Sequence, residues 1–328
     1  MSDGLGGYVR ELPDSYLVFV SLLAFASVHS VVRIAFYYAG WRGFWYDAAE
    51  FWYPIAERLS EGAVLYGEAY DNKTPLWHTL NYLVYQTDHY ALVFYALVGV
   101  ANAVVGYLLY RWLSRSGYRR GGLVAAALYL AAVPLMNGDI VNVRSFSLAF
   151  LLAAVVEERP LRRGGYVAVA VLLLDGLRNA ESNGRWGLRY VAAGAVTGAI
   201  PYLTLAVVYD PQTMLTGIEA TFLSGGEYIL EHADYRNPFL YPNSWARGLV
   251  VDAQSLAFVL VPGAITLASI HVSATQNWDR VTGLSAVLAV VFFATVLAKA
   301  LTYYWMPVVV FVAALSGCGV ERWLRRGE

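Results

Sequence analysis

The residues best suited to chemistry flank a polar, aromatic stretch between two apolar runs. Asp47 and Glu50 open it, and Lys73 stands near its end, just before Thr74-Pro75. A carboxylate can take a proton from a hydroxyl. An ammonium beside a helix start, where backbone N–H groups point outward, can hold an anion. Each also has a plainer use. Asp47 and Glu50 match an Asp-x-x-Glu capping box, and a lysine at an interface meets lipid headgroups. Asp139 follows the turn pair Asn137-Gly138, and Arg144 opens an apolar run. Asp139 reads as a turn residue or a site group, and Arg144 as the partner of Asp139 or another carboxylate or as a site group. Lys299 is an isolated cation between apolar runs. His78, His89 and His232 have no metal-ligand spacing; His78 is the best placed for a substrate contact. Asp47, Glu50 and Asp139 could jointly hold Mg²⁺ or Mn²⁺.

These groups need elements to position them. Ala48, Phe51, Trp52, Ile55, Ala56 and Leu59 recur at helical spacing on one face, which predicts a short amphipathic helix. Gly62 is its natural stop. A Tyr-rich loop follows, and Thr74 can cap a second helix with Pro75 in its first position. The stretch is too polar for lipid and too apolar for a plain solvated loop, so it should lie on the membrane surface.

The rest of the chain supplies that membrane. Of 328 residues 58% are hydrophobic and only 14% charged, against about a quarter charged in soluble domains. Aromatics at 15% suit membrane interfaces and sugar platforms alike. A net charge of −1 gives no footing for nucleic acid, and one cysteine, Cys318, allows no disulfide framework or thiolate metal site. The first apolar run is long and lacks a small-residue cleavage site, so it reads as a retained helix. Lys73 and Lys299 are the only lysines; with abundant Ala, Val and Gly, this points to a GC-rich, archaeal genome.

About 20 apolar residues cross a bilayer. Runs at 16–39, 90–112, 121–136, 144–156, 190–208, 249–270, 282–298 and 306–320 give about eight spans, nine at most, after a short lead to about Pro13. The stretch 157–189 is flanked by arginines on both sides of a short run, 166–174, which should lie against the inner face. Arg111, Arg115, Arg119 and Arg120, then Arg322, Arg325 and Arg326, place both termini in the cytoplasm by the positive-inside rule. Two large outer loops result, at about 40–88 and 210–247. The second carries Glu227, Tyr228, Glu231, His232, Asp234, Tyr235 and Arg236, a polar cluster able to close over an acceptor. His29 and Arg33, one turn apart in the first span, should pack against a polar neighbour. The expected fold is one all-α, polytopic membrane domain over 1–328.

Several residues in the first loop carry a resemblance. Asp47, then Tyr53, Ala56, Leu59, Gly62 and Tyr66, then Lys73-Thr74-Pro75-Leu76 resemble the GT-C glycosyltransferase superfamily. The likeness is nearest the branch of protein O-mannosyltransferases and aminoarabinose transferases. That branch has an acidic residue after the first span and a Lys-Pro-Pro-Leu type element. Asn137, Asp139 and Asn142 match its second acidic element, and Tyr303, Tyr304 and Pro307 its last aromatic one. The match covers about 40 residues in motif and most of the chain in topology. It departs where Glu50 stands three residues from Asp47 and where Thr74 replaces a proline, and the chain lacks a soluble C-terminal domain.

The resemblance implies a multi-pass enzyme of the cell membrane, working on the extracytoplasmic face. It would move a sugar from a polyprenyl (dolichyl) phosphate carrier to an acceptor hydroxyl on a glycan, lipid or protein, with inversion. Asp47 would be the general base, with Glu50 and Asp139 assisting and no resident metal cofactor. Lys73 would bind the carrier phosphate. Arg144, Lys299, Tyr304, Tyr66, His78, His232 and Arg236 would contact substrates. Two other readings remain at this point: a transporter or flippase of lipid-linked saccharides, and a non-catalytic scaffold of the same fold.

Overall fold

The computed structural model describes residues 4–40, 48–157, 199–222, 279–298 and 305–326. Apart from an isolated bridge between Leu65 and Ala69, regular structure in them is helical. Helices are numbered in chain order. α1 is Gly4–Tyr38, α2 Tyr53–Ser60, α3 Pro75–Tyr85, α4 Tyr90–Arg115, α5 Arg119–Ala132 and α6 Val143–Glu157. α7 is Ala199–Val208, α8 Pro211–Phe222, α9 Arg280–Ala298 and α10 Trp305–Arg326.

Four helices are long and apolar enough to cross a membrane: Ser15–Tyr38 of α1, α4, Arg119–Met136 and α10. Shorter apolar helices stand at Val143–Ala153, Ala199–Val208 and Val281–Ala294. The chain is therefore a helical membrane protein. Of the other expected segments, 249–270, 166–174 and the first part of 190–208 lie outside the described residues.

α4 is the hub, packed on α1, α5 and α6, while α10 packs on α5 and α9. Small residues allow these contacts. A Cβ on Gly121 would lie 2.1 Å from the Gly317 carbonyl oxygen, so α5 and α10 touch backbone to backbone. The Glu321 carboxylate accepts a hydrogen bond from the Gly121 N–H at 2.8 Å beside this crossing. Likewise, a Cβ on Gly99 would meet the Ser30 hydroxyl, which donates to the Tyr95 carbonyl at 2.8 Å and joins α1 to α4.

The two ends of the bundle differ. At the end with the α4–α5 and α9 turns, Arg322 bonds the Tyr118 and Thr282 hydroxyls, both at 3.0 Å. The Tyr118 hydroxyl in turn donates to Asp279. Arg322 and Arg325, expected as topology signals, thus also tie α10 to the neighbouring turns, Arg325 through the Gly117 carbonyl. The opposite end carries residues 48–85, the 137–142 turn and α8.

Three expectations change. The lead to Pro13 is helical from Gly4. The first amphipathic helix begins as a π-turn, Ala48–Trp52, before α2. The wider turn puts Ala48 and Trp52 on the inner side and Phe51 on the outer, so Phe51 is exposed while Ala48, Trp52, Ile55 and Ala56 are buried. The second large loop opens with a helix, α8. Asp210 caps it, its carboxylate accepting from the Thr213 N–H at 2.7 Å, with Pro211 at the first helical position.

Candidate functional site at the loop end

Segment 48–85 builds a platform on the bundle. Trp52 and Trp77 meet edge to face with centroids 4.8 Å apart, and Trp77 also packs on Phe94 of α4 and Phe146 of α6. Asn81 ties the π-turn down, donating to the Trp52 carbonyl and accepting from the Tyr90 hydroxyl. α2 ends in a Schellman turn: the Ala63 N–H reaches the Arg58 carbonyl at 2.9 Å, and Gly62 takes φ 96°. Thr74 caps α3, its hydroxyl accepting from the Trp77 N–H at 3.4 Å. The expected stop and cap are where the sequence put them.

Between α2 and α3 the chain turns at Tyr66, whose φ is +67°. A bulky residue in this region is strained and is held there by its surroundings. Tyr66 is buried against Tyr202 and Leu205 of α7 and Ala220 of α8. Gly217 of α8 makes room, since a Cβ there would lie 2.9 Å from the Tyr66 ring. The Tyr66 hydroxyl donates to the Lys73 carbonyl, and burial holds that phenol protonated well beyond its ordinary range. Tyr66, an expected substrate contact, thus grips the backbone that carries Lys73.

Around Lys73 lies a compact polar group. Asp71 stands 4.0 Å from the Lys73 ammonium and 3.5 Å from His78 Nε2. Lys73 also donates to the Asn72 side chain. One Asp71 oxygen accepts from the Asn72 N–H at 2.7 Å. The other, Oδ2, is buried and has no hydrogen-bond partner among the described residues, and the same holds for both ring nitrogens of His78. His78 is 0% exposed, Asp71 14% and Lys73 36%. Burial drives the His78 pKa down to about 4, outweighing the Asp71 carboxylate, which pulls it up; Lys73 pushes it down further. The imidazole is therefore neutral near pH 7, and its contact with Asp71 is polar rather than ionic.

A second polar group lies at the top of the bundle. Arg33 of α1 holds Asp139 by two hydrogen bonds, Nε to Oδ2 at 2.7 Å and a terminal nitrogen to Oδ1 at 2.8 Å. The expected polar neighbour of Arg33 is thus Asp139. The turn around Asp139 is itself fixed. Asn137 takes φ 51°, and the Gly138 carbonyl accepts from Asn102 at 2.9 Å and Ser145 at 3.1 Å. Asn142 caps α6, accepting from the N–H groups of Arg144 and Ser145. The ion pair expected between Asp139 and Arg144 is instead Asp139–Arg33: Arg144 begins α6, while Arg33 reaches the 137–142 turn from α1.

Glu50 sits on the exposed side of the π-turn. Asp47, Lys299, Tyr304, His232 and Arg236 lie outside the described residues. Among the described residues no three or more His, Cys, Asp or Glu are grouped to hold a metal ion. Lys73, His78 and Tyr66 are brought together; Asp139 belongs to a separate pair. Asp71 was missed by the sequence reading. Its signal is faint, an Asp-Asn turn before Lys-Thr-Pro, and its partner His78 is seven residues away.

The class is a helical membrane protein with a polar cluster on a platform at one end of the bundle. Set against family models, curated proteins and solved structures, the chain matches none of them.

Proposed function

We propose that the protein is a membrane glycosyltransferase that moves a sugar from a polyprenyl phosphate to an acceptor hydroxyl at the platform face of the bundle. One observation carries this reading: Lys73 stands at the capped start of α3, beside buried polar groups, at one end of a set of apolar helices. An ammonium there can hold a lipid phosphate while the polyprenyl tail lies along the helices. The resemblance of the Asp47-to-Leu76 stretch to the GT-C branch supports the same reading. Asp47 is the proposed base, taking the acceptor proton as the acceptor oxygen displaces the carrier phosphate from the anomeric carbon. Asp139 is already committed to Arg33 and serves that end of the bundle as a structural anchor. Tyr66 holds the Lys73 backbone.

The test is a transfer assay with purified protein, a panel of polyprenyl-phosphate sugars and host membrane extract, alongside Asp47→Asn. Transfer that collapses in the variant supports both class and base. Transfer that survives keeps the class and moves the base elsewhere. Failure with every donor, while carrier lipid still binds, removes the transferase reading. One feature favours a second reading, a transporter of lipid-linked saccharides. Arg33, on a spanning helix, is paired with Asp139 of the 137–142 turn, and His29 Nδ1, one turn from Arg33, is buried without a hydrogen-bond partner among the described residues.

A further inference from the structure

We propose that Asp71 and His78 form a hydroxyl-recognition site for the sugar, next to the phosphate site at Lys73. The inference rests on the transferase reading for the ligand's identity but not for its chemistry. Two buried polar atoms face each other there, Asp71 Oδ2 and His78 Nε2, and neither has a hydrogen-bond partner among the described residues; nor does His78 Nδ1 on the far edge of the ring. Buried polar atoms left unpaired are costly, and natural proteins keep few of them without a use. The atoms also define what would satisfy them.

An anion is opposed by the Asp71 carboxylate. A divalent cation would find two protein donors, with the Lys73 ammonium 4.0 Å from the other oxygen of the same carboxylate. A neutral hydroxyl suffers neither penalty. It donates its proton to Asp71 Oδ2 and accepts from the His78 Nε2–H, the tautomer that leaves one donor and one acceptor facing it. Asp71 Oδ2 and His78 Nε2 are 3.5 Å apart, close enough for one oxygen to reach both. His78 is neutral, as this role requires.

The platform also explains the placement. His78 lies on the first turn of α3, and Asp71 and Lys73 on the two sides of Asn72, so the hydroxyl site and the ammonium share one short segment. The ring of Tyr66 meets His78 edge to face, with centroids 6.1 Å apart, and closes the site from the α8 side. Asp71 Oδ2 and the His78 ring are closed to solvent, so a ligand reaches them past Asp71 and Lys73, the two side chains that are exposed in part. A sugar phosphate, with hydroxyls a few ångströms from its charge, matches this pattern better than a bare phosphate lipid does.

The experiment measures binding to the full chain in nanodiscs free of glycoside detergents. The probes are dolichyl phosphate, dolichyl phosphate carrying a hexose, hexosamine or uronate, and the corresponding methyl glycosides. The wild type should prefer at least one glycosylated carrier over dolichyl phosphate by tenfold or more, because a site built for a hydroxyl rejects a ligand that lacks it. Asp71→Asn and His78→Gln should each reduce that preference to threefold or less; dolichyl phosphate binding, which also reports a folded protein, should change under twofold in His78→Gln and hold or tighten in Asp71→Asn, which removes a negative charge 4.0 Å from Lys73. A preference unchanged in both variants overturns the site. Equal binding of bare and glycosylated carriers by the wild type also overturns it, yet leaves the carrier reading standing. Methyl glycoside binding that depends on Asp71, without carrier binding, keeps the site and removes the carrier reading. No binding of any probe removes both.

Discussion

His78 gives the platform a stability that depends on pH. Its pKa falls from the ordinary 6.5 to about 4 because burial penalises the charged ring. In the unfolded chain the imidazole takes up a proton as pH drops through 6.5, whereas in the folded chain it stays neutral down to about 4. Over that window the unfolded state binds more protons, so stability falls with pH and levels off below about 4. At 1.36 kcal/mol per pH unit the full effect is about 3 kcal/mol, of which about 2–3 kcal/mol is lost by pH 4.5. The assay is heat or urea unfolding of the full chain in micelles at pH 7 and pH 4.5, with His78→Gln beside the wild type. Carboxylates elsewhere titrate in both proteins and cancel to first order. The wild type should lose about 2–3 kcal/mol more than the variant. If both lose the same, His78 is not a buried neutral imidazole, and its role beside Asp71 falls with it.

Other outcomes follow from single contacts. Asp139→Asn leaves Arg33 without its counter-charge and should cost about 3–5 kcal/mol, whereas Arg33→Met with Asp139→Leu should restore most of that, as measured by thermal unfolding. Gly121→Val drives a side chain into the Gly317 backbone and should cost about 1–3 kcal/mol or more, while Gly283→Ala, which meets nothing within 4 Å, should leave the melting temperature level or raise it. Thr74→Ala removes a long capping bond and should cost about 0.5–1 kcal/mol, with Asp47 chemistry unaffected in a transfer assay.

Local signals in the sequence were legible where backbone chemistry is local. Gly62 stops α2 and Thr74-Pro75 starts α3, because a positive φ and a missing N–H leave few other options. The apolar runs at 90–112 and 121–136 became α4 and the Arg119–Met136 segment because each is long and apolar enough to cross a bilayer as a helix. What sequence could not show depends on pairs far apart in the chain. The π-turn hides within a helical spacing, since one extra residue per turn changes which side chain faces inward without changing composition. Phe51 is the residue that pays for it. Asp71 and His78 look unrelated until the loop folds back, and Asp139 was matched to its near neighbour Arg144 because only tertiary structure brings it to Arg33. The Asp210-Pro211 helix start was within reach: the residues are a standard opening, but the polar composition around them reads as loop.

The Arg33–Asp139 pair also bears on how the chain is made. The two residues are separated by 106 positions, so α1 leaves the ribosome and meets the insertion machinery long before its counter-charge exists. An arginine within a spanning helix adds about 2.5–3.5 kcal/mol to insertion, less near the helix end where it can snorkel. The segment's mean hydropathy of 2.0 still favours insertion, so during synthesis of the next hundred residues α1 is a spanning helix whose arginine lacks its partner. That arginine gains its counter-charge only when the α5–α6 turn arrives. Segment order in this protein therefore sets a waiting time, and a ribosome pausing between residues 34 and 139 would expose the chain to quality control at its first helix.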